Sequence, residues 1–275
     1  MKTTTAYKKI GKLKKKFRVI QGGQGASKTY SICQRIFIHC IKSNLRGTII
    51  TDTYPNLKDG VIHDMKAIAE GEGLDWDSIY NKSDKDLRLF GSEISFRNLD
   101  SNKTHNKKGV RNDFVYINEA NRCGYKSIEQ LITRAKIVFI DFNPDQEFWG
   151  HTEIMTRPDS DFLILTYKDN EMLSKEERAE IEMRVAMSEK PDAPESLKEW
   201  VKVYAKGETG TYSERRIYNY KFCKEIPTTA RRIFSGMDFG KSPDKTCLVD
   251  LYLDGPNLYA DERFSLNNLR EEKIQ

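Results

Sequence analysis

The sequence predicts an α/β fold in which a mainly parallel sheet is covered by helices. Three observations carry that expectation. Strand-like and helix-like segments alternate through the first 166 residues, the order that βαβ units produce. The stretches at 114–118 and 137–142 are apolar nearly throughout rather than alternating, as strands buried on both faces are. A glycine-rich turn joins the first strand directly to the first helix.

In order, residues 17–21 read as a short strand, and 28–43 as a helix with Ile32, Ile36 and Cys40 on one face. GTIITD at 47–52 is a buried strand. Residues 57–70 form an amphipathic helix carrying Val61, Met65 and Ile68. Segments 87–90 and 93–96, joined by Gly91-Ser92, form a hairpin. A strand at 114–118, a helix at 127–133 and a strand at 137–142 follow, the last stopped by Asn143-Pro144. A strand at 162–166 closes this region, and two polar helices lie at 175–187 and 194–204. Three further strands are expected at 233–239, 246–253 and 257–263. They alternate in LVDLYLDG and LYADERF, with Asp254-Gly255 or Pro256-Asn257 as the turn.

Charge is unevenly placed. The chain of 275 residues carries +5 overall, yet residues 1–18 hold eight basic residues and no acid. The remainder has 38 basic against 41 acidic residues, so its body is not a nucleic-acid binder by composition. The basic segment reads as a solvated, frayed terminus, or as a contact for phosphate backbone. No apolar run approaches the roughly 18–20 residues that cross a bilayer. Five scattered cysteines without a Cys-x-x-Cys pair argue against a zinc site or disulfide framework and fit a reducing compartment.

The chemistry begins at residues 22–29, GGQGASKT. A phosphate-binding (Walker A) loop needs a tight turn of backbone N–H groups, a helix N-terminus behind it, a Lys for the β- and γ-oxygens and a hydroxyl for Mg²⁺. Gly22, Gly23, Gln24, Gly25, Ala26, Ser27, Lys28 and Thr29 supply these parts. Ser27 stands where a second glycine is usual, which the loop tolerates if its φ is negative. An ordinary glycine-rich turn is the competing reading, and the strand before and helix after favour the phosphate loop. DFVYINEAN at 113–121 has the form of the apolar strand that ends in an Mg²⁺-holding acid followed by a catalytic Glu. Glu119 takes the second position as the residue that orients the attacking water. Asn118 takes the first without negative charge, so Mg²⁺ should depend more on Thr29 and the nucleotide. The spacing leaves room for a strand inserted between the two motifs. In VFIDFNP, Asn143 is placed to sense a γ-phosphate, although Asn-Pro is also a common strand exit.

Taken together, these segments resemble the large subunit of tailed-phage terminases. GGQGASKTYS, NLKDGVIHDM, LFGSEISFRNLD, the KKG before VYINEAN and the DFNP strand end occur in that family's order. YKDNEMLSKEERAEIE and YAKGETGTYSERRIYN resemble its link after the ATPase core, and IFSGMDFGKSPDKTCLVDLYLDG the first hairpin of its RNase H-like nuclease. The resemblance implies a P-loop ATPase core at 1–166, a helical linker at 167–228 and the first strands of a nuclease at 229–275. It also implies ATP and Mg²⁺ as ligands, and a homo-oligomeric ring on a portal protein in the host cytoplasm. A small terminase subunit and double-stranded DNA would be its partners. Arg134 matches a basic stretch after the catalytic-Glu segment, and it or Arg111 could reach a neighbouring subunit's phosphates; a surface ion pair is the plainer reading for either. Asp238 and, more weakly, Glu262 would be ligands of a nuclease Mg²⁺ or Mn²⁺. Gln24 replaces an Arg frequent in the family, and Asn118 replaces the usual acid. The sequence reaches only about forty residues into the nuclease region, so no DNA cleavage is expected from it. Another P-loop nucleic-acid translocase and a non-catalytic binding chain are the alternative readings.

Overall fold

The computed structural model describes residues 1–99, 111–210, 223, 225–239 and 245–267. The KKG segment at 107–109, most of the stretch after Gly210 and the Gly240 turn lie outside the described residues. Two compact units are present, Met1–Arg216 and Ile217–Gln275.

The first unit is built on β1 (Phe17–Gly22), β2 (Arg46–Thr51), β3 (Tyr80–Asn81), β4 (Asp86–Leu89), β5 (Ser92–Asn98), β6 (Asn112–Ile117), β7 (Ala135–Phe142) and β8 (Ser160–Leu165). They form an eight-stranded sheet in the order β3-β4-β5-β2-β6-β7-β1-β8. The six strands from β5 to β8 pair in parallel, and β3–β4–β5 is an antiparallel extension. The inserted strand is β7, which pairs with β1 on one side and β6 on the other.

The continuous apolar runs are explained by burial from both sides. Ile20, Ile49, Tyr116 and Phe139 belong to one core cluster, with Ile32, Ile36 and Phe37 of helix α2 (Lys28–Lys42). Val19, Ile50, Val115 and Ile140 belong to the other, with Ile128 and Leu131 of a helix at Tyr125–Thr133. The expected helix at 57–70 is broken into a π-helical turn, Leu57–Ile62, and an α-helix, His63–Gly71.

The N-terminal segment departs from the frayed tail that its charge suggested. Thr5–Ile10 is a helix. Thr4 Oγ1 accepts from Tyr7 N at 3.2 Å as its N-cap. Ala6 and Ile10, four residues apart, are fully buried against the core, and the Arg35 guanidinium lies over the Tyr7 ring at 3.7 Å. Nearby lysines dominate the local composition and hide a two-residue apolar stripe.

The helical region after β8 has a small core of Tyr167, Ile181, Val201 and Ala205 and falls within the first compact unit. In the second unit, β9 (Arg231–Asp238), β10 (Lys245–Asp254) and β11 (Asn257–Asn267) form an antiparallel sheet with β10 central. Its buried acid is Asp250, which accepts from Ser235 Oγ at 2.6 Å and faces Arg232 and Arg263 at 3.1 and 3.6 Å.

Phe37 is 1% exposed and meets Phe90 edge-on at 6.1 Å. Phe37→Ala should lower the urea unfolding free energy by about 3–5 kcal/mol, the range for emptying an aromatic core site. Met172→Ala, at a side chain that is 59% exposed, should leave it within about 0.5 kcal/mol.

Candidate active site

The carboxyl ends of β1, β7 and β6 converge on one cleft, as parallel α/β sheets arrange their ligand sites. Residues 23–30 line about 300 Å³ of space together with Asp64 and Asn143.

The glycine-rich loop leaves β1 and enters α2 at Lys28. Gly23 is required by close approach, since a Cβ there would lie 1.9 Å from the Tyr204 carbonyl oxygen. Ser27 sits at φ 58°, in the left-handed region. The expectation of a negative φ is therefore corrected: Ser27 adopts the conformation that the usual glycine takes, at a cost of about 1–2 kcal/mol. Three elements of the following helical region hold the loop. Gln24 N donates to Tyr204 O at 2.9 Å, Asn170 Nδ2 to Gly25 O at 2.8 Å, and Gln21 Nε2 to Gly207 O at 2.7 Å.

Lys28 folds back over the loop. Its ammonium donates to the Gly22 and Gly23 carbonyls at 2.8 and 3.0 Å and to Asn143 Oδ1 at 2.8 Å. Burial lowers its pKa to about 8, opposed by the charges of Asp141 and Glu119. Lys28 and Asn143 are thus brought together across 115 residues of sequence.

Glu119 follows β6 at φ 51°, a second left-handed non-glycine residue. Its Oε2 lies 3.2 Å from Arg122 Nη1 but has no aligned hydrogen-bond donor among the described residues. Burial raises its pKa; Arg122 opposes the shift and Asp141 adds to it.

The sequence reading missed Asp141. This carboxylate is 2% exposed, on β7 two residues before Asn143. It accepts from Tyr116 Oη at 3.1 Å, Asn118 Nδ2 at 3.0 Å, Glu119 N at 3.3 Å and Thr29 Oγ1 at 3.4 Å. Burial raises its pKa, and the Lys28 charge and these donors oppose the rise. The signal was available, because an acid inside VFIDF must find partners once that strand is covered on both faces. Asn118 turns its amide nitrogen toward Asp141 and Thr29, at 3.0 and 3.3 Å, and its oxygen toward Gly60. It thereby donates to the groups around Thr29, the hydroxyl expected to hold Mg²⁺. The hard-cation donors assembled here are the Thr29 hydroxyl and the Asp141 carboxylate, a set that fits Mg²⁺.

Arg134 is exposed at the C-cap of the Tyr125–Thr133 helix, at the start of β7. Six strand residues lie between it and Asp141, a rise of about 23 Å over seven steps, so the fold does not bring it to its own chain's loop. Arg111 is likewise exposed, just before β6. Arg122, which the sequence reading passed over, is the arginine that reaches Glu119. In the second unit, Asp238 and Glu262 are exposed on the two outer strands. They are opposite Cys247 and Val249, hence on one face of that sheet. No group of three or more potential metal-ligating side chains occurs among the described residues.

Asp64, in the first turn of the His63–Gly71 helix, lines the cleft. Burial raises its pKa to about 6; His63 opposes the shift and Asp141 adds to it. Between pH 4 and 6 the folded protein therefore holds more protons than the unfolded chain, and this group's contribution to stability falls as pH rises through 6. Asp64→Asn should match the wild-type Tm at pH 4 and exceed it at pH 7, by an amount corresponding to about 2 kcal/mol. Equal Tm differences at both pH values would remove the buried-acid assignment.

Residues 14–191 match the family model for the phage terminase large subunit. No curated protein matches the sequence. Among solved structures, the large terminase of a thermophilic bacteriophage is similar with a TM-score of 0.63 and 15% identity, over 95% of this chain and 69% of that one. The large terminase ATPase domain of Thermus phage P74-26 gives 0.53 at 16% identity, over 75% of this chain and 94% of that domain. The HK97 bacteriophage large terminase gives 0.56 at 12% identity, over 94% and 63%. At these identities the likeness speaks for the fold, while the family match spans well over half of the sequence and includes the whole cleft. The chain belongs to the phage terminase large subunit family.

Proposed function

We propose that this chain is the ATP-hydrolysing motor subunit that drives double-stranded viral DNA into a procapsid. The observation that carries this reading is the glycine-rich loop with Lys28 at the start of α2, its ammonium bonded to Asn143 just past the end of β7 and interacting through charge with Glu119 beyond β6. The large terminase of the thermophilic bacteriophage, similar in fold, is known in complexes with ADP and with ATP-γ-S.

In this reading the backbone N–H groups of residues 22–29 cradle the phosphates, and the α2 N-terminus adds its positive dipole end. The Lys28 ammonium exchanges its carbonyl partners for β- and γ-phosphate oxygens. Asn143, already bonded to Lys28, is placed to register whether a γ-phosphate is present. Glu119, raised in pKa and offset from the sheet by its left-handed backbone, orients the attacking water. Mg²⁺ held at Thr29 would neutralise phosphate charge as it builds on the leaving group. The contacts of Tyr204, Asn170 and Gly207 with the loop give the following helical region a direct mechanical link to nucleotide state.

The partners follow from the same reading: a portal ring, a small terminase subunit and a homo-oligomeric ring on DNA, in the host cytoplasm. Arg134 or Arg111 would act on a neighbouring subunit's nucleotide. The sheet at 231–267 would open an RNase H-like nuclease, with Asp238 and Glu262 toward Mg²⁺ or Mn²⁺. No helix among the described residues is long and apolar enough to cross a membrane.

ATP turnover by the purified chain, with and without linear double-stranded DNA, tests this proposal. Lys28→Ala should abolish nucleotide binding. Glu119→Gln should keep binding and lose turnover by about 10²–10⁴-fold, the usual worth of a positioned base. Normal hydrolysis by either variant would reject the assignment of that residue.

A further inference from the structure

We infer that Asp141, on the inserted strand, is the carboxylate that holds the divalent cation at Thr29, and that Asn118 positions it. The inference rests on the nucleotide-binding reading and assigns a residue that the sequence motifs do not.

β6 and β7 are parallel with Ile117 beside Ile140, so the next pair of positions, 118 and 141, also stand side by side. An acid moved from one to the other shifts by one strand and stays at the same level of the sheet, about 5 Å away. The expected acid position holds an amide, and the neighbouring position holds a buried carboxylate.

The two oxygens of that carboxylate are used differently. Oδ1 takes three donors, Tyr116 Oη, Asn118 Nδ2 and the Glu119 backbone N–H. All three come from β6 and the residues that follow its strand end. Among the described residues Oδ2 takes the Thr29 hydroxyl alone, at 3.4 Å. One oxygen is therefore anchored, and the other is turned toward the hydroxyl that would ligate the ion. The Thr29 hydroxyl, donating to the carboxylate and accepting from Asn118 Nδ2 at 3.3 Å, keeps one lone pair for a cation, and a carboxylate oxygen with spare lone pairs can accept from water in that cation's shell.

A purely structural ion pair explains the same residue less well. Lys28, the nearest cation in charge terms, is hydrogen-bonded to Gly22, Gly23 and Asn143 and makes no hydrogen bond to Asp141. An acid kept solely for stability would be worth replacing, since isolated buried charges cost stability.

The test uses the full chain with ADP as the probe, so no turnover is read. ADP affinity is measured by fluorescence in EDTA, and Mn²⁺ affinity of the ADP complex by electron paramagnetic resonance. Asp141→Asn should weaken Mn²⁺ binding by about 10–100-fold, the usual effect of losing a supporting carboxylate at a metal. Metal-free ADP should bind equally well or more tightly, because a negative charge near the phosphates is gone. The exchange variant Asn118→Asp/Asp141→Asn, which returns the carboxylate to β6, should recover most of the Mn²⁺ affinity. Wild-type Mn²⁺ affinity in folded Asp141→Asn overturns the inference. If that single variant does not fold, the exchange variant decides: Mn²⁺ binding supports the inference, and a folded exchange variant without it overturns the inference. Failure of the wild-type chain to bind ADP at all would instead reject the nucleotide reading.

Discussion

The site depends on the lateral register of three parallel strands. β7 lies between β1 and β6, with Ile20 beside Asp141 and Ile117 beside Ile140. Parallel ladders fix register through evenly spaced bonds on both sides of a strand. Here a one-residue slip of β7 would turn Asp141 out of the Thr29 side and bring Ile140 or Phe142 in its place. The two apolar clusters make that slip costly, because Phe139 packs on one face and Ile140 and Phe142 on the other. Core packing and site geometry are thus one constraint, applied through the same eight residues.

Two of the four non-glycine left-handed residues among those described lie where that register ends. Ser27 and Glu119 both adopt left-handed conformations without being glycine, and both sit at the first turn after a strand of the central group. Such conformations persist where the surroundings over-determine them. Ser27 is held between the loop and α2, where its hydroxyl lies 3.2 Å from Ser31 Oγ. Glu119 is held by its backbone N–H on Asp141 and by Arg122. The left-handed turn at Glu119 lets consecutive residues do different work: Asn118 stays in line with β6 and faces β7, and Glu119 leaves that line. A regular strand would have put the two on opposite faces of the sheet.

The α/β architecture was legible because buried strands have one composition and helices another. The helix ends at 28, 133 and 175 and all three strands of the second sheet follow the periodicity closely. Phosphate-loop residues were legible as a linear motif. What the linear motifs passed over was whatever takes its role from lateral neighbours, even where, as with the acid inside VFIDF, burial signalled that partners were needed. Asp141 looked like part of a strand ending, since its importance comes from Asn118 and Tyr116 on β6, more than twenty residues earlier. The amide orientation of Asn118 follows from its acceptor and has no signature of its own. The N-terminal helix was hidden by lysines for the same reason: Ala6 and Ile10 become informative only when α2 is there to cover them. Arg134 was read as reaching a neighbouring subunit's phosphates, and in its own chain the strand that follows rises about 23 Å before it reaches the cleft.

The charges in the cleft explain why nucleotide and cation belong together. Lys28 and Asp64 line the cleft, Asp141 and Glu119 stand close enough for their charges to act on Lys28, and Arg122 is paired to Glu119. Burial pushes both acids upward and Lys28 downward; Lys28 opposes the rise at Asp141, Arg122 opposes it at Glu119, and the two carboxylates oppose the fall at Lys28. Phosphates entering alone would meet Lys28 and the helix N-terminus, both favourable, and also the Asp141 carboxylate that faces Thr29, which repels them in a low-dielectric setting. A divalent ion between Thr29, Asp141 and phosphate turns that repulsion into attraction on both sides. Asn118 fits this scheme better than an aspartate would. A second acid 3.0 Å from Asp141 would force one of the pair to keep its proton, whereas an amide donates to Asp141 and keeps its charge available to the ion.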